Sequence, residues 1–88
     1  MEISEKIENL YQVLLKLETM EECKVLLEDL CTRKEVANMA ERLYAAQLLL
    51  EGKTYNQVIS ETSISSATLS RISQCVQYGK GFSALLKK

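Results

Sequence analysis

The apolar residues of this 88-residue chain recur three and four positions apart over most of its length, and no proline interrupts them. This spacing places apolar side chains on one face of an α-helix, and proline is the residue that breaks helices most strongly. No segment shows the alternation of apolar and polar residues that is typical of a half-buried strand. The sequence therefore predicts an all-α fold. In the first predicted helix the apolar positions are Ile3, Ile7, Leu10, Tyr11, Leu14 and Leu17.

Helix boundaries are marked by capping boxes, in which a threonine is followed three residues later by glutamate or glutamine. The pattern occurs at Thr19, Thr32 and Thr54, and each precedes a run with helical apolar spacing. Gly52 follows the third run, in the position where a left-handed residue commonly ends a helix. The sequence thus predicts three longer helices, the last of which ends before Gly52.

The remainder of the chain is predicted to hold two short helices and a tail. The fourth helix ends near Glu61, residues 62–65 form a tight turn, and the fifth helix begins at Ser65 or Ser66 and ends before Gly79. Residues 79–88 are predicted to be a tail with a small apolar patch that is too short to fold alone.

Composition excludes several classes of function. The chain has no histidine, the commonest general base and metal ligand. Its three cysteines lie 8 and 44 residues apart, which fits neither a disulfide framework nor a zinc-ligand pattern. The sequence shows no carboxylate pair, no glycine-rich phosphate loop, no signal peptide and no apolar run of the roughly 18 residues that a membrane span needs. We expect a cytoplasmic protein that is not an enzyme and uses no metal, cofactor or membrane.

Adjacent leucines put apolar atoms on more than one side of the longer helices, for example at 14–15, 26–27 and 48–50. A helix that is apolar on more than one stripe packs against more than one neighbour. A domain of this size also buries only about 60–65% of its unfolded surface, so oligomers are common among small domains. A monomeric core with a few exposed leucines remains the alternative, but we expect a tightly packed homodimer.

Residues 54–72 match the pattern of a helix-turn-helix, in which two short helices are joined by a turn of three or four residues. Apolar residues occupy the positions that such a motif turns inward. They are Val58 and Ile59 in the first helix, Ile64 in the turn, and Leu69 and Ile72 in the second helix.

The other face of the second helix carries short hydroxyl and methyl side chains and one long cation. Short side chains let a helix enter a major groove about 12 Å wide, where hydroxyls and a cation reach phosphates or base edges. Residues 52–88 contain five basic residues and one acidic residue, a net charge of +4, whereas residues 1–51 contain six basic and eleven acidic residues, a net charge of −5. The sequence therefore predicts DNA binding by this helix. The polar face holds Ser66, Ala67, Thr68, Ser70, Arg71 and Ser73.

The residues alone leave alternatives open. Any pair of antiparallel helices shows this apolar spacing, and its serines then serve only for solvation. The modest positive charge also fits a protein-interaction module that docks on another regulator or on the transcription machinery; only DNA binding would weaken steeply with salt. Arg42, taken by itself, is most simply an ion-pair partner of Glu41 or Glu35.

Four segments match a known family when taken in chain order: Leu30-Cys31-Thr32 with Glu35, then Arg42, then Leu49-Leu50-Glu51-Gly52, and finally Ala67-Thr68-Leu69-Ser70-Arg71. On these residues the chain from about Leu26 to Val76 resembles the Trp repressor superfamily, in particular its shorter Trp-repressor-like regulators of the YerC/YecD type. The resemblance implies an all-helical, intertwined homodimer with a helix-turn-helix in each subunit. It also implies a transcriptional repressor that binds a two-fold symmetric operator in double-stranded DNA.

The resemblance also suggests how the chain is organised. Residues 1–88 are expected to form one domain, with dimerisation helices in 1–52, the helix-turn-helix in 54–78, a tail in 79–88 and helix 66–76 in contact with DNA. Ser63 stands where glycine is usual in the turn, and a serine adopts a positive φ only at a cost in strain. The implied DNA-binding residues are Tyr55, Asn56, Ser65, Ser66, Ala67, Thr68, Ser70 and Arg71.

An effector pocket is implied by the same resemblance. In the repressor, tryptophan lies between two arginines whose counterparts are Arg42 and Arg71, and Thr32 matches a polar contact. Ile72 stands where the repressor has glycine, and Cys75 replaces a serine. Because a branched side chain occupies space that an indole needs, we expect Ile72 to fill the slot. L-tryptophan is therefore not expected to act as a corepressor.

Overall fold

The computed structural model describes residues 1–87, and within them the chain is helical without strands. The predicted all-α class is confirmed. The chain divides into two compact units, Met1–Arg33 and the part from Lys34 onward. The helices are α1 (Ile3–Leu14), α2 (Met20–Leu30), α3 (Arg33–Leu50), α4 (Tyr55–Glu61), α5 (Ser66–Tyr78) and α6 (Gly81–Leu86).

Side-chain caps fix the starts of two helices where the sequence predicts them. The Thr19 hydroxyl accepts a hydrogen bond from the Glu22 amide at 3.1 Å, which begins α2. At α4 the box is reciprocal: the Gln57 amide donates to the Thr54 hydroxyl at 3.2 Å, and the Thr54 amide donates to the Gln57 side chain at 2.8 Å. Each bond satisfies an amide that the first turn of a helix leaves unpaired.

The predicted stop at Gly52 is also present. Gly52 has φ +90°, and the Lys53 amide donates to the Leu48 carbonyl at 3.1 Å while the Gly52 amide donates to the Leu49 carbonyl at 3.0 Å. This pair of bonds is the Schellman motif, which requires a left-handed residue at the position of Gly52. The motif ends α3 and turns the chain toward α4.

The first unit contains α1 and α2, and neither helix has a buried residue. Five of the six apolar positions predicted for the first helix lie in α1, whereas Leu17 lies beyond its end at Leu14, so that part of the prediction is wrong. Within α1, Ile3 is 70% exposed and Tyr11 is 59% exposed. Two helices of 12 and 11 residues have too little apolar surface between them to enclose a core.

The second unit holds the buried core. Ala45, Ala46 and Leu48 of α3 pack with Val58 of α4 and with two residues of α5, Leu69 and Ile72. The two alanines are fully buried, and the larger side chains of α4 and α5 fill the space beside them. This packing fixes which faces of α4 and α5 point outward.

Residues 81–86 form a sixth helix, which the sequence analysis did not predict; the last residue of the predicted tail, Lys88, lies outside the described residues. The helix forms because its apolar side chains find a surface to cover. Phe82 and Leu86 pack against the core, and the Ser83 hydroxyl donates to the Val76 carbonyl at 2.8 Å. The sequence also predicted that α5 would be a short helix, but it is 13 residues long.

Candidate nucleic-acid interface and the adjoining cleft

The segment predicted to be a helix-turn-helix consists of α4, a connection over residues 62–65, and α5. Ser65 is the N-cap of α5: its hydroxyl accepts a hydrogen bond from the Thr68 amide at 3.2 Å and donates to the Thr68 hydroxyl at 3.0 Å. These bonds fix the first turn of α5. In helix-turn-helix proteins, the N-terminal residues of the second helix are the ones that contact base edges.

Burial divides α5 into two faces. Leu69, Ile72 and Ser73 are buried, Thr68 is half-buried, and the remaining residues proposed for DNA contact are exposed. The prediction that Ser73 belongs to the polar outer face is wrong. Position 73 lies four residues after Leu69, so it falls on the inner stripe of the helix whatever residue occupies it. The exposed candidates on α5 are Ser66, Ala67, Ser70 and Arg71.

The two inward residues predicted for α4 separate in the structure. Val58 is fully buried, whereas Ile59 is 41% exposed. Successive helical residues point about 100° apart, so a helix of seven residues turns only one of two neighbours fully toward the core. Tyr55 and Asn56 occupy the first turn of α4 and are exposed.

The turn avoids the strain that the sequence predicted at Ser63. Among residues 1–87 no residue other than glycine has a positive φ, so Ser63 does not adopt the left-handed conformation. Its amide instead donates a hydrogen bond to Oε2 of Glu41 on α3 at 2.9 Å, and Ile64 packs against the core. The turn is therefore held by one polar contact and one apolar contact.

Four of the five residues implied for the effector pocket line one cleft of ≈ 490 Å³ between α3, α5 and α6. They are Arg42, Arg71, Ile72 and Cys75; Thr32, the fifth residue, belongs to the first compact unit. Both arginines and Cys75 are exposed. The walls are mostly apolar, so the cleft combines an apolar surface with two cationic groups.

Ile72 forms part of the wall of this cleft without closing it. Its side chain is 4% exposed and belongs to the core, and the cleft remains open beside it. The prediction that L-tryptophan does not bind stays a prediction, since it depends on whether an indole fits the space that Ile72 leaves.

Glu41 and Phe82 are among the residues of the site that sequence reasoning did not find. Glu41 bonds the turn from 22 residues away, and Phe82 of α6 lines the cleft. A hydrogen bond over such a separation leaves no periodic signal. The apolar spacing of residues 82–86 was visible, but it did not indicate where the segment packs.

The profile of the family described as Trp repressor protein matches residues 5–88 of the chain. The chain belongs to the Trp repressor family. It is 40% identical over 74 residues to the uncharacterized protein YerC of Bacillus subtilis (strain 168), a match that covers 84% of this chain and 71% of YerC. The resemblance stated from the sequence, including its YerC-type branch, is confirmed.

Solved structures of Trp-repressor-like proteins share the fold. A candidate Trp repressor from Staphylococcus aureus superposes with a TM-score of 0.88 at 32% identity, over 99% of this chain and 92% of that one. A TrpR-like protein from Eubacterium eligens ATCC 27750 gives a TM-score of 0.88 at 31% identity, over 94% of this chain and 87% of that one. Members of the Trp repressor family are DNA-binding regulators rather than enzymes.

The described residues add two findings about what the chain contains. None of the helices within residues 1–87 is long and apolar enough to cross a membrane. The same residues hold no group of side chains that could bind a metal ion.

Proposed function

We propose that this Trp repressor family member is a sequence-specific transcriptional repressor that binds a two-fold symmetric operator as a homodimer through α5. The observation that carries the proposal is the division of α5 into two faces. Leu69 and Ile72 anchor one face in the core, and the opposite face exposes Ser66, Ser70 and Arg71. A rigidly held helix with short outer side chains can enter the major groove, where hydroxyls and guanidinium groups bind base edges and phosphates.

The charge distribution supports the same surface. Residues 52–88, which include the helix-turn-helix, carry a net charge of +4 from five basic residues and Glu61. Cations near the DNA release counterions from the phosphates, and this release drives binding that does not depend on sequence. Base contacts by exposed residues such as Ser70 then add specificity.

The exposed apolar surface of α1 and α2 supports the homodimer. Large apolar side chains of the first unit, including Ile3 and Tyr11 of α1 and Leu15 at its end, lie mostly in solvent in a single chain. Burying such a surface against a second copy is favourable by about 25 cal/mol per Å². A two-fold symmetric dimer would present two copies of α5 to half-sites about one helical turn apart on the DNA.

The dimer has a direct test. Sedimentation equilibrium at micromolar concentration is expected to give twice the chain mass of 10.0 kDa. A species of 10.0 kDa at that concentration would contradict both the dimer and the symmetric operator.

DNA binding is tested by selection from a library of random duplexes with the purified protein. The selected duplexes are expected to contain an inverted repeat, and their affinity is expected to fall steeply as salt rises, by about 0.9 log units of Kd per phosphate contact for each log unit of salt. A scrambled duplex of the same length and base composition is the control. Equal affinity for selected and scrambled duplexes would refute sequence-specific binding.

A further inference from the structure

The turn of the helix-turn-helix is attached to α3 by one side chain. Oε2 of Glu41 accepts a hydrogen bond from the Ser63 amide at 2.9 Å, and the two residues are 22 positions apart. Glu41 is half-buried. Its carboxylate therefore joins the longest helix of the chain to the connection that sets the angle between α4 and α5.

The other polar contacts of the connection are local. The Thr62 hydroxyl donates to the Val58 carbonyl at 2.8 Å, within the end of α4, and Ser65 bonds to Thr68, within the start of α5. These bonds fix the ends of the two helices but do not tie the connection to another element. Within residues 1–87, the half-buried Ile64 side chain and the Glu41 carboxylate are the contacts described between this connection and the rest of the unit.

The sign of the charge at position 41 supports a role in positioning. A carboxylate close to the DNA-binding segment repels phosphates, so it weakens DNA binding through its charge. What Glu41 supplies is a charged acceptor, and hydrogen bonds to an ionised acceptor are stronger than neutral ones. The bond lies beside a solvent-accessible polar cleft of ≈ 300 Å³ that Glu41 lines together with Ser63, Arg42 and Thr68. When the carboxylate is removed, a water molecule in this cleft can therefore accept the hydrogen bond of the Ser63 amide.

We propose that Glu41 is a positioning residue for DNA recognition: its carboxylate holds the turn, and thereby α5, in the orientation that binds the operator. The inference depends on the proposed DNA-binding function. Without the bond, the turn samples more conformations, and the apparent affinity for operator falls in proportion to the fraction that remains competent to bind. Binding to non-operator DNA depends on charge and is much less sensitive to this orientation.

The test compares Glu41→Ala with Glu41→Gln in the full-length protein. Both variants remove the same negative charge, but the glutamine oxygen can still accept the Ser63 amide hydrogen. Glu61→Gln is the charge-matched control, because Glu61 is an exposed residue at the end of α4. The quantity measured is the ratio of Kd for a scrambled duplex to Kd for the duplex selected by the parent protein. Hydrogen exchange of the Ser63 amide and the melting temperature are measured alongside.

We expect Glu41→Ala to lower this ratio by roughly 2- to 10-fold, the effect of losing about one hydrogen bond, and to accelerate exchange of the Ser63 amide. Glu61→Gln is expected to keep the ratio of the parent. Glu41→Gln, whose neutral oxygen accepts a weaker hydrogen bond, is expected to give a ratio between those of the parent and Glu41→Ala. A fall in melting temperature with an unchanged ratio would overturn the proposal, as would an equal fall in both Glu41 variants. If the parent protein prefers no duplex, the proposed function and the positioning role are both overturned. If the parent protein selects a duplex and Glu41→Ala prefers that duplex equally strongly, only the positioning role is overturned.

Discussion

Replacing Ile72 by alanine tests the orientation of α5 on which the proposed DNA-binding face depends. Ile72 is 4% exposed and packs in the core with Val58 and Leu69. Ile59 on the neighbouring helix provides a matched comparison, since the same change removes the same atoms from a side chain that is 41% exposed. The two variants differ only in how much of the lost side chain was buried.

The expected costs follow from these exposures. Isoleucine to alanine removes about three methylene equivalents, each worth about 0.8 kcal/mol when fully buried. At Ile72 nearly all of this burial free energy is lost, and the cavity that remains in the core raises the total loss of stability to about 3–5 kcal/mol. At Ile59 about three fifths of the same amount is lost and the site opens to solvent, so about 1.4 kcal/mol is expected. The free energies of unfolding should therefore differ by about 1.6–3.6 kcal/mol.

Urea denaturation followed by far-UV circular dichroism measures this difference. All samples need the same protomer concentration, because self-association adds to the apparent stability. With a slope of about 2 kcal/mol per molar urea, which is typical of a small domain, the midpoint of Ile72→Ala should lie roughly 1–2 M below that of Ile59→Ala. The slopes should be equal within error, since the same fold is lost in both.

Equal or reversed costs would refute the reasoning. If Ile59→Ala destabilised the protein as much as Ile72→Ala, the inner face of the helix-turn-helix would differ from the one described here. If Ile72→Ala cost less than about 1 kcal/mol, Ile72 would not be a core residue. In either case the exposure of Ser70 and Arg71 could no longer be used to assign the DNA-binding face.

Two further predictions concern the cleft and its arginines. Arg71→Ala should weaken binding to selected and scrambled duplexes alike, and it should lower the dependence of log Kd on log salt by about 1, because it removes one phosphate contact. Fluorescence anisotropy at several salt concentrations measures the affinity and its salt dependence. An unchanged salt dependence would mean that Arg71 does not contact DNA. L-tryptophan at millimolar concentration should leave the melting temperature and the operator affinity unchanged, because we expect the branched Ile72 side chain to take up space that an indole needs, and a ligand stabilises only the state it binds. A clear thermal shift would show that the cleft accepts tryptophan.

Local signals accounted for the parts of the fold that the sequence predicted correctly. The capping box at Thr54 and the glycine stop at Gly52 each depend on residues within six positions, and both appear in the structure at the predicted residues. The apolar spacing of α5 also identified Leu69 and Ile72 as buried. In these cases the chemistry that determines the structure is contained in one short segment.

The sequence predictions were wrong where burial or local conformation depends on a residue far away along the chain. Ile59 and Val58 are both apolar, and the packing of α4 in the core that α3 and α5 form decides which of them is buried. The turn at Ser63 needs no left-handed residue because Glu41 supplies an acceptor from another helix. Likewise, α6 forms because Phe82 and its neighbours find a core surface to cover. None of these partners can be located from the spacing of residues along one helix.

Neighbouring residues on α3 serve two different parts of the proposed DNA-binding unit. Glu41 bonds the turn, and Arg42 lines both the apolar cleft and the polar cleft in which that bond lies. Thr68, whose hydroxyl is bonded to the cap of α5, also lines both clefts. A change in the apolar cleft that displaces Thr68 or Arg42 therefore alters the surroundings of the Glu41–Ser63 bond as well.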